Sequence, residues 1–226
     1  MRLLAVDTTT PDGSVAVLEG ERVLAEVGVR SSSTHSSRLL ASIHFLLQSL
    51  SLDTRDLDGF AVAPGPGSFT GIRIGLGTVK GLAFASGKPV AAVSSLRALA
   101  HRLAERGETR WVAPVLDAKR GEVYSALVER GTRMEAAVPE GAYAPEGLLD
   151  LIGSRRTVLF GGGGAELYRD LIVGRMGARA RFDARPPFIA AEVGRLGLRV
   201  LTEGRGMTAE VLEPLYYRIS QAEEKR

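Results

Sequence analysis

Two aspartates follow predicted buried strands, at the place where the side chains of an open sheet meet a ligand. Asp7 follows residues 3–6 and precedes three threonines that begin with Thr8, and Asp117 follows residues 111–116. In a two-lobed ATP-using enzyme such a carboxylate orients Mg²⁺ through water, and the neighbouring turn donates backbone N–H groups to phosphate. An aspartate that only satisfies its own turn explains the same pattern. Both interpretations stay open for each residue.

Glycine-rich segments are the second candidates for phosphate chemistry, because glycines let backbone N–H groups converge at the start of a helix. One is Gly65-Pro66-Gly67-Ser68-Phe69-Thr70-Gly71, and the other is Gly161-Gly162-Gly163-Gly164. The first is not a P-loop, since Ile72 and Arg73 occupy the positions that require Lys and then Ser or Thr. A connector that only positions the next helix explains both segments equally well.

Metal and nucleophilic chemistry have little support in the sequence. The chain has no Cys and only three His, at His35, His44 and His101, without the spacing H-x-x-x-H or H-E-x-x-H. Ser68 has neither a nearby histidine nor the G-x-S-x-G context of a serine hydrolase. We therefore predict neither a metal site nor a nucleophilic catalytic centre.

Length and composition indicate a globular protein with one large or two small domains, since the chain has 226 residues, 45% of them apolar and 24% charged. The net charge of +3 is too small to indicate nucleic acid by itself. Asp7 interrupts the first apolar run before a signal peptide can develop, and no stretch approaches 18 apolar residues. We expect a cytoplasmic protein that does not enter a membrane.

The elements that would position these residues repeat in two halves. Alternating or buried patterns predict strands at 3–6, 14–18, 23–29, 58–63, 88–93, 111–116, 122–128 and 157–160. Helical periodicity predicts helices at 36–50, 72–85, 145–152, 165–173 and 188–201, with hydroxyls of residues 31–37 capping the first. A further helix, third in chain order, is capped by Ser94 or Ser95 and ends at Gly107. We predict two related α/β lobes, residues 1–107 and 108–226, whose mixed sheets are flanked by helices. The C-terminal segment is expected to pack back onto the protein.

The second predicted helix contains three glycines, each of which costs about 1 kcal/mol relative to Ala in a helix interior. Close approach of another backbone would offset that cost, either from the sheet of the same chain or from another protein. We predict that this helix and the first one, each too apolar for one contact, also form an interface with a partner. The predicted contact residues are Leu39, Ile43, Leu46, Leu47 and Leu50 on the first helix, and Ile72, Leu76, Gly77, Val79, Lys80 and Gly81 on the second.

Four segments, in order along the chain, resemble the bacterial TsaB (YeaZ) proteins. They are LLAVDTT at 3–9, GPGSFTGIRIG at 65–75, LDAKRGEVY at 116–124 and PLYYR at 214–218. The resemblance implies the two-lobed actin, sugar-kinase and Hsp70-like (ASKHA, ribonuclease H-like) fold. It also implies a non-catalytic partner of TsaD in the machinery that installs N6-threonylcarbamoyl on adenosine 37 of tRNAs that read codons beginning with A.

The resemblance implies absences as well. In TsaD an H-x-x-x-H pair holds the active-site metal, and the corresponding positions here are Ser95 and Leu99, which do not bind metals in this way. The phosphate loops are then vestigial, and we expect no cofactor on this chain alone, with ATP or ADP only in the complex. The residues of these vestigial loops are Asp7, Thr8, Gly65, Gly67, Ser68, Thr70, Gly71, Arg73, Asp117, Gly161 and Gly162.

The resemblance also implies partners. They are TsaD, which pairs through the first two helices, the ATPase TsaE, and tRNA through the complex. In the family, the isolated protein can use the same helices to form a homodimer. The alternative from another functional class is an ATP-dependent phosphotransferase of the sugar-kinase-like class. It would use Asp7, Asp117 and the two glycine segments.

Overall fold

The computed structural model describes residues 1–30, 36–106, 109–131, 134–153 and 156–217. Several predicted features therefore lie outside the described residues, namely His35, the first of the predicted capping hydroxyls (residues 31–35), Gly107 and Arg218. Within the described ranges no helix combines the length and the apolar character that crossing a membrane requires.

Ten strands and seven helices make up the described chain. The strands are β1 Arg2–Asp7, β2 Asp12–Glu19, β3 Arg22–Arg30, β4 Gly59–Val62, β5 Val90–Ala92, β6 Trp111–Lys119, β7 Glu122–Glu129, β8 Ala136–Tyr143, β9 Val158–Gly161 and β10 Ala180–Phe182. The helices are α1 Ser36–Ser49, α2 Phe69–Ser86, α3 Ser95–Arg106, α4 Pro145–Ile152, α5 Gly163–Leu167, α6 Arg169–Met176 and α7 Ala190–Thr202. The sequence pattern did not predict β8 and β10. Both are edge strands, and β8 contains Pro139 and Gly141, which weaken a strand pattern.

The chain divides into two compact units. Unit 1 comprises residues 1–95 and 188–216, and unit 2 comprises residues 96–187 and 217–226. Each unit contains a five-stranded sheet, in the order β3-β2-β1-β4-β5 in unit 1 and β8-β7-β6-β9-β10 in unit 2. In both, the first three strands are antiparallel and the last three are parallel. The predicted repetition of one strand plan is therefore present in the fold.

Helices cover both faces of the unit 1 sheet. Leu4 and Val6 of β1 join the apolar cluster beneath α1 and α2. The alternate residue Ala5 faces α7, where a Cβ atom on Gly194 would lie 3.2 Å from it. The Ser14 hydroxyl of β2 accepts hydrogen bonds from the backbone N–H groups of Ile189 and Ala190, at 3.2 and 3.0 Å, and so caps α7. The predicted lobes assigned α7 to the second half, whereas its contacts place it in unit 1.

The core of unit 2 lies between its sheet and the helices α4, α5 and α6. Leu127 and Phe160 are fully buried in the sheet, and Ile152 of α4 and Met176 of α6 pack in the same cluster. The amphipathic pattern of α4 accounts for this packing, because its buried residues recur three and four positions apart.

Candidate functional site

The two strand-end aspartates have the same local role. One oxygen of Asp7, Oδ1, accepts hydrogen bonds from the Thr9 backbone N–H at 3.0 Å and from the Thr9 hydroxyl at 2.7 Å. Oδ1 of Asp117 accepts from the Lys119 backbone N–H at 2.7 Å, and its Oδ2 lies 2.5 Å from the Lys119 ammonium. Each carboxylate thus holds the turn that follows its strand. Asp7 is fully buried, whereas the Asp117 side chain is 25% exposed.

The first glycine segment packs tightly against the end of β1. The Ser68 N–H donates to the Thr9 carbonyl at 2.7 Å, and the Thr8 hydroxyl donates to the Gly71 carbonyl at 2.7 Å. A Cβ atom on Gly67 would collide with the Thr9 carbonyl oxygen, and one on Gly71 would collide with the Thr8 carbonyl oxygen. These glycines are required because the backbones of two segments lie in direct contact.

The start of α2 is formed by the same segment. Ser68 is the N-cap residue, and its hydroxyl accepts a hydrogen bond from the Gly71 N–H at 3.3 Å. Thr70 and Arg73 are exposed on the first turn. The predicted phosphate-binding position is thus a helix N-terminus whose Gly71 N–H is already satisfied by a side chain of the protein.

The C-terminal segment covers the other side of the glycine segment. The Leu215 N–H donates to the Pro64 carbonyl at 2.8 Å, and a Cβ atom on Gly65 would collide with the Leu215 carbonyl oxygen. The Tyr216 ring stacks on the Phe69 ring with centroids 5.3 Å apart. Sequence reasoning expected this segment to pack back without locating its contacts. No local signal could have located them, because Tyr216 and Phe69 are far apart in the chain.

Arg73 completes this stack. Its guanidinium carbon lies 3.9 Å from the Phe69 ring centroid, which is a cation–π distance, and its Nε donates to the Tyr216 hydroxyl at 3.3 Å. The predicted phosphate-loop residue Arg73 is therefore engaged with two aromatic rings of its own unit.

The glycine run of unit 2 is also used for packing within the chain. A Cβ atom on Gly161 would lie 2.5 Å from a Leu103 methyl carbon, and one on Gly162 would lie 2.5 Å from the Val115 carbonyl oxygen. Gly162 has φ of 100°, which an L side chain rarely adopts. Gly164 is buried and lies against Leu116. Only Gly163 of the four has open space around it.

The two positions where the resemblance expects a metal-ligand pair, Ser95 and Leu99, are used for packing and hydrogen bonding within the chain. Ser95 is fully buried, and its hydroxyl donates to the Pro66 carbonyl at 2.6 Å. Leu99 is buried, and one of its methyl carbons would lie 2.8 Å from a Cβ atom on Gly162. Among the described residues, no group of three or more His, Cys, Asp or Glu is arranged to hold a metal ion.

Most of the predicted partner-contact residues are core residues of unit 1. Seven apolar side chains are less than 7% exposed and pack in the cluster between the helices and the sheet: Leu39, Ile43, Leu46, Leu47, Ile72, Leu76 and Val79. Leu50 packs against the same cluster. The seven buried side chains are not available to a partner, so the prediction that they form a surface contact is wrong. Helical periodicity identifies a buried face but not what buries it.

The outer faces of α1 and α2 carry different residues. Leu40, Phe45 and Phe84 are 58%, 62% and 74% exposed. Gly77 and Gly81 are exposed, and a Cβ atom on either would meet nothing within 4 Å. We call these five residues the outer helix face. Lys80, the remaining predicted contact, is half-buried beside it.

Tyr217, the residue after Tyr216, belongs to unit 2. Its hydroxyl donates to Glu140 Oε2 at 3.0 Å, and its ring centroid lies 6.3 Å from that of Tyr124. Burial, and then the Glu140 carboxylate, raise the pKa of Tyr217 well above the ordinary value for tyrosine. Its hydroxyl therefore stays protonated at neutral pH, where it acts as a hydrogen-bond donor and not as a general base.

Comparison with known proteins gives one match to a family model over part of the chain and matches to single proteins over nearly its whole length. A family model described as "TsaD: tRNA N6-adenosine threonylcarbamoyltransferase" matches residues 27–168. The chain is 33% identical to the tRNA threonylcarbamoyladenosine biosynthesis protein TsaB of Bacillus subtilis, over 100% of this chain and 97% of that protein. It is 34% identical to the solved structure of YeaZ from Pseudomonas aeruginosa, with a TM-score of 0.80 over 95% of this chain and 99% of that one.

A more distant structural match concerns the fold alone. The activator of 2-hydroxyisocaproyl-CoA dehydratase from Clostridium difficile, solved with bound ADPNP, aligns with a TM-score of 0.58 at 11% identity, over 96% of this chain and 100% of that one. Together with the two mixed sheets of one strand order, these matches confirm the predicted two-lobed ASKHA fold.

Proposed function

The chain belongs to the TsaB (YeaZ) family, and we propose that it serves tRNA threonylcarbamoyladenosine biosynthesis as the non-catalytic subunit that binds and supports TsaD. The coarser part of this statement, a role in the pathway, follows from family membership. The finer part, a scaffold without its own catalytic centre, rests on the residues of the site. The proposal includes a cytoplasmic location, where the tRNA substrate is.

The residues at the two positions where a metal-ligand pair is expected support a non-catalytic role. Ser95 and Leu99 replace the expected ligand pair, and the Ser95 hydroxyl already donates to the Pro66 carbonyl. A buried leucine supplies no lone pair for a metal, and a neutral hydroxyl is a poor substitute for imidazole.

The packing of the glycine segment supports the same role. Gly65, Gly67 and Gly71 approach backbone atoms of Leu215, Thr9 and Thr8 respectively. A phosphate-binding loop instead directs its free N–H groups toward the ligand. In this chain the close approach that glycine permits is used to join three segments of unit 1.

The outer helix face is the observation that carries TsaD binding. Three large apolar side chains, Leu40, Phe45 and Phe84, are more than half exposed on two neighbouring helices. Gly77 and Gly81 lie on α2 with open space outside them, so no described residue of this chain offsets their cost in helix stability. Exposed aromatic residues beside small residues are typical of helix packing across a protein interface, because the small residues let a second helix approach closely.

The test is capture of purified TsaD by the full chain. Gly81→Arg and Phe84→Glu should each weaken capture at least tenfold, because both place charge on the face that the partner would cover. Gly174→Arg and Val173→Glu on α6 of unit 2 are matched controls, since Gly174 also has open space and Val173 is 45% exposed. Capture that survives Gly81→Arg and Phe84→Glu, with cooperative melting intact, would contradict the assignment.

Partners beyond TsaD belong to the same proposal. The isolated chain would pair with a second copy through the outer helix face, and TsaE and tRNA would join through the complex. A homodimer that uses this face must dissociate when TsaD binds. Size measurement with increasing TsaD, on the native chain and on the Gly81→Arg variant, distinguishes the shared face from two separate ones.

The second candidate function is an ATP-dependent phosphotransferase. It is considered because the fold is shared with a protein that was solved with a bound nucleotide analogue. We propose that the chain alone binds no nucleotide and that ATP or ADP is held only in the complex. Calorimetry with Mg-ATP on the isolated chain tests this. Micromolar binding that Asp7→Asn weakens would favour the phosphotransferase, and the absence of heat with the isolated chain favours the scaffold.

A further inference from the structure

Arginines gather at one end of the unit 2 sheet. Strands β6, β9 and β10 are parallel, and their registers place Trp111, Val158 and Ala180 in one row at the end where all three strands begin. Arg110, Arg156 and Arg179 lie one or two residues before this row, and Arg130 follows the end of the antiparallel strand β7. We call these four residues the arginine end.

Direct contacts bring the members together. The Arg130 N–H donates to the Arg110 carbonyl at 2.8 Å. The guanidinium carbons of Arg156 and Arg110 lie 4.9 and 5.7 Å from the Trp111 ring centroid, so two cations share one aromatic ring. Arg156 is held further by a hydrogen bond from its Nη1 to the Ile152 carbonyl at 2.6 Å.

The carboxylates at this end do not cancel the charge. The Glu129 carboxylate forms an ion pair with Arg110 at 2.7 Å. Glu135 lies near Glu129, because the Glu129 N–H donates a hydrogen bond to the Glu135 carbonyl. The Arg110 side chain is nevertheless 72% exposed, and Arg130 and Arg179 are exposed. An exposed ion pair of this kind contributes little stability, so its arginine can exchange the carboxylate for another anion at small cost.

The opposite end of the same sheet has a different character. Asp117 and Asp183 stand where β6 and β10 finish, and each is paired with a neighbouring cation, Lys119 and Arg185 respectively. Residues 96–187 contain fourteen Arg and one Lys against twelve Asp and Glu. The small excess of positive charge in this segment is therefore distributed unevenly between the two ends of its sheet.

We propose that the arginine end binds the phosphate backbone of RNA, and specifically that of the tRNA substrate. This inference rests on the proposed function, which supplies the polyanion. Guanidinium groups bind phosphate oxygens bidentately and stay charged at all relevant pH values, which explains the use of Arg instead of Lys. Stacking on Trp111 occupies the faces of two guanidiniums, so that phosphate would approach their edges. At Arg110 it would replace the Glu129 carboxylate, and at Arg156 it would use the N–H groups other than the Nη1 group that donates to Ile152. An acidic protein surface is the competing occupant and is an outcome of the test.

The experiment measures binding of an unmodified tRNA transcript that carries adenosine 37 to the complex of the full chain with TsaD. Fluorescence anisotropy at several NaCl concentrations gives the affinity and its salt dependence. The triple variant Arg110→Gln, Arg156→Gln and Arg179→Gln is compared with Arg55→Gln, Arg199→Gln and Arg205→Gln. The control triple removes three exposed, ion-paired arginines from unit 1, so both variants lose the same charge.

We expect the arginine-end variant to bind tRNA about tenfold more weakly at 0.1 M salt, with a log–log salt slope smaller by about 2, since each lost phosphate contact removes roughly 0.7 to 0.9. The control triple should change the affinity less than threefold. Equal affinity and slope for both variants would overturn the proposal. So would normal tRNA binding accompanied by loss of TsaE capture, which would assign the arginine end to an acidic protein surface.

Two further measurements keep the result interpretable. TsaD capture by the same preparations should be unchanged in both variants, because neither triple includes a residue of the outer helix face. If the native chain fails to capture TsaD, the proposed function fails, and tRNA binding by the chain alone then tests the arginine end separately. If the triple variant melts at a lower temperature, the double variant Arg110→Gln and Arg130→Gln, which leaves Arg156 on Trp111, replaces it with the same expected direction.

Discussion

The two faces of α2 contain glycine for opposite reasons. On the buried face, Gly71 and Gly75 lie against the end of β1, where a Cβ atom would collide with the Thr8 carbonyl oxygen and the Thr8 hydroxyl respectively. On the exposed face, a Cβ atom on Gly77 or Gly81 would meet no described residue within 4 Å. One helix thus has two glycines that close packing requires and two that no contact with a described residue requires.

This difference separates a structural role from a binding role. Interior glycine costs about 1 kcal/mol of helix stability relative to Ala at each position. Contact with β1 offsets that cost on the buried face, whereas no described residue packs against the two glycines of the exposed face. The exposed face is therefore the part of α2 where the proposed partner would account for the residue type.

The sharpest test of the comparison is Gly71→Ala. A methyl group there meets the Thr8 carbonyl oxygen, which is backbone and can move only if β1 moves, so we expect unfolding free energy to fall by about 3 kcal/mol. Urea denaturation of the full chain measures the change. A loss below about 1 kcal/mol would mean that the end of β1 is not held against α2.

Gly75→Ala should be the next most damaging change, at about 2 kcal/mol. Its methyl group meets the Thr8 hydroxyl, which belongs to a side chain and can be removed. Thr8→Ala should therefore rescue Gly75→Ala by about 1 kcal/mol relative to additivity in a double-mutant cycle. The same Thr8→Ala change should not rescue Gly71→Ala, because the obstructing oxygen there is a backbone atom. Rescue of both variants would show that the two contacts are not distinct.

Tyr216→Ala tests the other side of the glycine segment. Loss of the stack on Phe69 should lower unfolding free energy by about 1 kcal/mol. Tyr216→Phe is the matched variant, since it keeps the ring and loses only the exposed 3.3 Å hydrogen bond from Arg73, and it should cost less than about 0.5 kcal/mol. Equal losses of unfolding free energy in the two variants would show that the Tyr216 hydroxyl, and not the ring stack, accounts for the stabilisation.

Gly77→Ala should have the smallest effect on stability, with the opposite sign. The added methyl group enters open space, so the helix should gain about 0.5 kcal/mol from reduced backbone freedom in the unfolded chain. Capture of TsaD should nevertheless weaken if a partner helix approaches this position closely. Gly174→Ala on α6 also enters open space and should give a similar gain without affecting capture. Identical TsaD capture by the Gly77→Ala and Gly174→Ala variants would show that Gly77 is not in the interface.

Local patterns predicted most of the elements. Short apolar runs predicted β1 and β6, and alternation predicted β2, β3 and β7, because both patterns are visible in the residues themselves. The short strand β10 was not visible, since three residues show no period. Helix α6 was merged with α5, although the two helices meet at Tyr168.

The candidate site was predicted less well than the elements. The sequence identified the glycine segment at 65–71 as special but not what fills it, because Leu215 and Tyr216 reach it from the far end of the chain. It identified α1 and α2 as too apolar for one contact, but it named the core residues such as Leu46 and Ile72 as the contact and omitted the exposed Phe45 and Phe84. A periodic stripe marks the face that is buried most completely, which is the face toward the sheet.

The sequence by itself determined the two-lobed α/β class, the paired strand-end aspartates and the family, because short-range periodicity and ordered motifs are properties of the chain. Tertiary structure alone decided that α7 covers the unit 1 sheet, that the C-terminal segment closes the glycine segment, and which glycines of α2 are buried. Each of these depends on contacts between segments far apart in the chain. Burial is a property of both surfaces that meet, and the residues of one surface do not specify the other.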